Sequence, residues 1–347
     1  IRQSPLYSQG IVYSEPNENL AEYVKLLREQ EKCDFVILLS HLGLSQQIAL
    51  GNDPSCAGVD YIFGADTHER VRKPIQTKYT KIVEPGAFGS FIGRLDLEIK
   101  DGKIVKDTYE LIEVDPQKYP ANKEVIALIE KIEKPFKPQL EKVLGYTTVP
   151  LYRNMVVENT IDTLIVDALK WKIDVDVVLS NGFRFCPPLI PGKDGKAAIT
   201  ESYLYDMLPV ESTVRTGKAT GQQILNWLEK ELENVFAQNA AKRFGGWFVR
   251  FKGMQVEFKA YEPAGKRVQK VIIGGKPLDP TKLYALCACE REGDPEDMLC
   301  RMKGVVEAKN LPETLHGVIK SYLAKFSPVA PTLRHDAKIL DGPQDLL

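Results

Sequence analysis

Phe35-Val36-Ile37-Leu38-Leu39 is an unbroken apolar run between Asp34 and Ser40. It follows a helical pattern over residues 18–31, in which Leu20, Tyr23, Val24, Leu26 and Leu27 share one face. A strand with no polar alternation is expected to be buried on both faces, as in parallel sheets covered by helices. The run therefore predicts an α/β layer. Residues 45–50 predict a further helix, and residues 59–63, Ile82-Val83 and residues 91–99 predict strands. Asp101-Gly102 marks a hairpin turn into residues 103–109.

A chain of 347 residues exceeds one ordinary core and predicts two domains. The first is expected over residues 1–115. Residues 116–147 change character, with several prolines, many lysines and glutamates, and a helical stretch from Asn122 to Ile132, and read as a connector. The second domain is expected over residues 148–347. It opens with an amphipathic helix at 161–171 and a buried strand at 175–179, and continues with helical periodicity at 220–236 and alternating strands at 248–261 and 268–273. The fold class is α/β and α+β.

Hydrophobic residues make up 44%, charged residues 27%, and the net charge is −1, a soluble globular balance that argues against a nucleic-acid polymer as partner. No apolar run reaches the ~18–20 residues of a membrane span. The start at Ile1, without a basic and then apolar leader, reads as a processed or truncated piece. Cys33, Cys56, Cys186, Cys287, Cys289 and Cys300 lack the spacing of a disulfide framework or zinc knuckle, and Cys287 and Cys289 read as buried strand thiols.

Two of the four histidines fall at predicted strand ends: His41 in Ser40-His41-Leu42-Gly43, and His68 in Gly64-Ala65-Asp66-Thr67-His68. Ligands gather at the carboxyl ends of strands in open α/β sheets, and imidazole with carboxylate suits zinc, manganese or iron at a hydrolytic centre. A hydrogen-bonded structural role for such histidines stays open on pattern alone. His316 and His335 have no such setting and read as surface residues.

The SHLG block at 40–43 and GVDYIFGADTHE at 58–69 resemble the last two metal-binding blocks of calcineurin-like metallophosphoesterases of the 5′-nucleotidase superfamily. The resemblance implies a partial metallophosphoesterase α/β layer. It makes His41 a ligand of one divalent metal, and His68 a ligand or near neighbour of a second, the pair being zinc or manganese. Asp66 stands where the family usually has histidine, and a carboxylate also coordinates such metals. The family's earlier ligand blocks are not found here. By that reading the missing N-terminal half of the metal domain is required as a partner, the chain alone is inactive, and no catalytic residue is assigned within it.

Residues 148–340 resemble the family's C-terminal substrate-binding domain through ENTIDTLIVDAL, DVDVVLSNGFR, ITESYLYDMLPVES, ATGQQILNWLE and RVQKVIIGGKPLDPTKLYAL in order. The resemblance implies a small-molecule phosphoester substrate, a nucleotide above all, held by Asn181, Gly182, Arg184 and Asp294. It also implies a periplasmic or extracellular setting. Glycine admits close approach of an anion and Arg184 offers a two-pronged donor. Two ring positions that clamp the base in family nucleotidases fall here at Pro209-Val210-Glu211-Ser212 and at Ala288, so both rings are lost. Trp247, Phe248 and Phe251 either compensate or pack the core. The NGFR, LENVF and GGWFVR stretches resemble the thiosulfohydrolase branch, which implies a sulfate-releasing activity as the alternative. A third expectation is an inactive binding module of the same fold.

Overall fold

The computed structural model describes residues 5–180, 186–291 and 293–342. These form two compact units, one of residues 12–130 with 237–246, the other of the remaining described residues.

In the smaller unit, the strands are β1 (Ile37–Ser40), β2 (Tyr61–Gly64), β3 (Ile75–Gln76) and β4 (Lys81–Val83), in sheet order β1-β2-β4-β3. β1, β2 and β4 run parallel, with Ser40 level with Gly64 and Phe63 level with Val83, so their carboxyl ends meet at one edge. Helices α1 (Leu20–Lys25) and α2 (Leu44–Gly51) supply a core of Leu20, Val24 and Leu50 against Val59, Ile62 and Ile82. A hairpin of β5 (Phe91–Lys100) and β6 (Lys103–Glu113) turns at Asp101 and Gly102, both at positive φ. Two expectations change here. The helix regular in sequence over 18–31 keeps only Leu20 and Val24 buried, while Tyr23 is exposed. β1 is covered on one face alone: Leu38 packs on the core, while Ile37 and Leu39, which point to the opposite face, are 41% and 78% exposed.

Helix α3 (Lys123–Glu133) is started by the Asn122 side chain, which accepts from the Glu124 amide at 2.8 Å, and none of its residues is buried. The short α4 (Lys137–Leu140) follows.

The larger unit begins with β7 (Val143–Thr147), α5 (Thr160–Lys172), β8 (Val177–Ser180), β9 (Ala197–Thr200) and α6 (Glu201–Met207). It continues through β10 (Thr213–Thr220), α7 (Gly221–Phe236), β11 (Arg250–Lys252), β12 (Met254–Phe258), β13 (Val268–Ile273) and β14 (Lys276–Pro277). It closes with β15 (Leu283–Cys289), β16 (Val306–Thr314), α8 (Leu315–Phe326) and β17 (Ala337–Ile339). A mixed sheet of order β11-β8-β15-β10-β16 is its spine, beside a second sheet of order β14-β13-β12-β17. Helix N-termini are written in the sequence: Asn159, Thr200 and Thr314 each accept an amide of the first turn of α5, α6 and α8. Phe248 and Phe251 pack in the core with Phe258, so these two rings serve packing. His316 is fully buried, its Nε2–H donating to the Leu208 carbonyl at 2.7 Å and its ring edge-on to Tyr205, which corrects the surface reading. His335 is exposed.

Candidate functional site

In the smaller unit the three parallel strand ends deliver His41, the Asp66–His68 segment and Glu84 to one edge. The Ala65 amide donates to the Ser40 carbonyl at 3.0 Å, continuing the ladder past Gly64. Gly64 is required there, since a Cβ would stand 2.1 Å from Oε1 of the buried Gln47. Asp66 and His68 then adopt φ of 83° and 61°, left-handed values that non-glycine residues hold at a cost. His41 is 78% exposed, Asp66 is buried, and His41 Nε2 lies 3.8 Å from Asp66 Oδ1. The His68 ring lies edge-on to Phe88 at 6.0 Å.

The structure thus brings His41 and Asp66 together, while His68 does not join them in one cluster. Among the described residues, no group of three or more His, Cys, Asp or Glu side chains is arranged to hold a metal. The His41–Asp66 separation fits two ligands of one divalent cation, whose bonds of about 2.1 Å leave ligand atoms ~3–4 Å apart. The pair fits as part of a coordination shell, and completing it takes donors beyond these.

The residue that sequence reasoning missed is Glu84, fully buried directly after β4. Its signal was a lone acid closing the apolar Ile82-Val83 pair before Pro85-Gly86.

In the larger unit β8 and β15 are parallel neighbours, so Ser180 and Cys289 end their strands at the same edge of the sheet. Asn181, Gly182 and Arg184 lie outside the described residues. Asp294 is held by Arg291, whose Nε and Nη2 donate to Oδ1 at 2.8 and 2.6 Å. Ala288 is 1% exposed in the core of β15, whereas Val210 is 66% exposed. Of these two positions only Val210 lies at the surface.

Beneath Ser180 lies a polar cluster that the residue types alone did not reveal. Asp162, fully buried, receives Arg153 Nη2 at 2.9 Å and the Ser180 hydroxyl at 2.6 Å on Oδ1; Asn159 Nδ2 donates to Oδ2 at 2.7 Å. Arg250 Nε stands 3.7 Å from Asp162 Oδ2. Burial raises the carboxyl, but Arg153, Arg250 and the Ser180 hydroxyl outweigh it and bring Asp162 down to about 2. A cavity of about 80 Å³ adjoins this cluster, lined by Arg153, Ser180, Met207, Pro209, Val210 and Cys289 among others. Burial pushes the Cys287 thiol up to about 12 and also raises Cys289, which marks them as inert strand thiols rather than nucleophiles.

Residues 142–289 match the family model of the 5′-nucleotidase C-terminal domain. Among curated proteins, the chain is 26% identical over 278 residues to the trifunctional nucleotide phosphoesterase YfkN of Bacillus subtilis, covering 76% of this chain and 18% of that protein. It is 23% identical over 379 residues to the protein UshA of Escherichia coli, covering 94% and 65%. Among solved structures, the sulfate thiohydrolase SoxB of Thermus thermophilus superposes with a TM-score of 0.86 at 26% identity, over 96% of this chain and 60% of that one. A 5′-nucleotidase precursor of Thermus thermophilus reaches 0.80 at 20% identity, over 96% and 69%, a likeness of fold. The chain spans less than two thirds of YfkN, UshA and SoxB. The resemblance to the superfamily, its thiosulfohydrolase branch included, and the mixed α/β fold class both hold. No helix among the described residues is long and apolar enough to cross a membrane.

Proposed function

From a chain that resembles the 5′-nucleotidase superfamily over nearly its whole length, we propose a metal-dependent hydrolase of that superfamily, acting on phosphomonoesters and on nucleotides in particular. The observation that carries the reading is the His41–Asp66 pair at the joint carboxyl edge of β1 and β2. His41 and Asp66, with His68 from the same loop, are the residues of this chain that would hold divalent metal, zinc or manganese, in a two-metal centre whose other donors lie outside the described residues. Such metals, when bound, supply an activated water and neutralise charge on the transferring group. The chain's own residues do the positioning. Asp66 keeps a carboxylate against His41, and Asn181, Gly182 and Arg184 offer amide and guanidinium donors to substrate oxyanions. Asp294 is kept in place by Arg291 at the neighbouring strand end. A periplasmic or extracellular location is part of this reading.

A second reading is a thiosulfohydrolase-like enzyme that releases sulfate. It is favoured by the 26%-identical likeness to SoxB and by Val210 and Ala288, which present no ring to a nucleobase. Full-length protein incubated with manganese or zinc separates the two: phosphate from a nucleotide panel supports the first, and sulfate from a thiosulfonate supports the second. Release of neither, together with no retained metal by elemental analysis, leaves the inactive binding module. A His41→Ala variant that retains full activity and metal content overturns the assigned ligand.

A further inference from the structure

Asp66 and His68 are two non-glycine residues in left-handed backbone, one residue apart, and something must hold them there. The loop they occupy is fastened at Glu84. Its carboxylate Oε1 accepts the Glu69 amide at 2.8 Å and the Thr67 hydroxyl at 3.2 Å. The Thr67 oxygen also accepts the Leu44 amide at 2.9 Å. Around these, Val71 donates to the Glu84 carbonyl at 3.0 Å and Gly86 to the Glu69 carbonyl at 2.9 Å, zipping the end of the loop to the chain leaving β4. A fully buried carboxylate thus gathers all three strand ends: β4 through itself, the segment after β2 through Thr67 and Glu69, and the segment after β1 through Leu44. Two donors converging on one point require an acceptor oxygen there, which an aliphatic side chain cannot supply.

We propose that Glu84 is the positioning residue of the His41–Asp66 cluster: it fixes the 65–69 loop so that Asp66 and His68 keep their left-handed conformations and the Asp66 carboxylate stays beside His41. The proposal rests on the reading of His41 and Asp66 as metal ligands for its purpose, but its mechanics stand on this chain's own hydrogen bonds.

The test uses the full chain, isotope-labelled for NMR, as parent, Glu84→Ala, Glu84→Gln and Thr67→Val, each with and without manganese. Asp66 and His68 report left-handed backbone through their amide–Hα couplings and carbon shifts, and manganese reports on His41 by broadening its imidazole signals. In Glu84→Ala both left-handed signatures are expected to vanish and Glu69 amide exchange to rise roughly 10- to 100-fold, the scale of one buried donor left without its acceptor. Manganese broadening at His41 is expected to weaken with them. Glu84→Gln keeps an acceptor oxygen and is expected to restore most of all three. Unchanged signatures and exchange in Glu84→Ala overturn the proposal. If that variant does not fold, Thr67→Val decides: it removes one of the two donors, and parent-like couplings at Asp66 and His68 overturn the proposal equally. Should manganese broaden His41 in no protein while the loop signatures collapse, positioning by Glu84 stands and the metal-ligand reading falls. Broadening that persists with intact signatures in Glu84→Ala does the reverse.

Discussion

The Arg153 guanidinium grips the Asp162 carboxylate with two donors, Nη2 to Oδ1 at 2.9 Å and Nε to Oδ2 at 3.3 Å, and both side chains are sealed from solvent. Removing one partner of such a pair strands the other charge without water. Arg153→Met is therefore expected to destabilise the larger unit by about 3–5 kcal/mol. The loss is partly offset because Arg250 remains 3.7 Å from Asp162. Urea unfolding followed at Trp227 in the core of that unit measures it. Replacing both partners, Arg153→Met with Asp162→Leu, is expected to recover part of the loss, and a single-variant cost under about 1 kcal/mol would sink the account.

The same carboxylate sets a pH dependence. Its folded value, about 2, lies below the ordinary 3.8, so between those values the unfolded chain binds more protons than the folded one. Stability from Asp162 is complete above about pH 5 and drains away as pH falls toward 1, a total of ~2–3 kcal/mol. Stability measured across that window is expected to be flatter by this amount in Asp162→Asn than in the parent. Parallel curves for the two proteins would contradict it.

Val210 and Ala288 differ in setting, at 66% and 1% exposed. Val210→Phe supplies a stacking surface and is expected to tighten nucleoside binding about tenfold, within the ~1–3 kcal/mol that one stacked base is worth. Ala288→Phe overfills the core behind β15 and is expected to cost ~1–3 kcal/mol of stability with no gain in binding. Calorimetric titration with adenosine and a thermal melt of each variant read both effects. Tighter binding in Ala288→Phe alone would reverse the assignment.

Gly64 has no room for a methyl group, since Gln47 Oε1 would sit 2.1 Å from it. Gly64→Ala must displace the buried Gln47 amide and its 3.3 Å bond to the Ala65 carbonyl, just ahead of Asp66. An expected cost of ~1–3 kcal/mol falls on the smaller unit, and adding Gln47→Ala, which clears the space, is expected to reduce it. Thermal unfolding of the two variants settles this, and a Gly64→Ala protein as stable as the parent rules it out.

Much of this architecture is legible in one dimension because its causes are local. Apolar runs closing on polar residues at Ser40 and Gly64 foretell strand ends, and Asp101-Gly102 foretells the hairpin. Asn159, Thr200 and Thr314 announce helix starts, because a cap bonds two or three residues ahead. The candidate ligands were visible for the same reason, as His41 and Asp66 directly follow their strands. Glu84 was not, since a lone acid closing the Ile82-Val83 pair reads the same whether it leaves β4 for solvent or turns inward to Thr67 and Glu69.

The sequence by itself thus determined the elements, the α/β class and the residues set at the strand ends, through periodicity and short-range hydrogen bonding. Tertiary structure alone decided which side chains lose water: Glu84 and His316 inside, Leu39 outside, Ala288 in a core rather than at a ligand. It also decided that Arg153, Asp162, Ser180 and Arg250, spread over nearly a hundred residues, share one charge cluster. Burial and charge pairing depend on what packs from far along the chain, and that information is carried by no single segment.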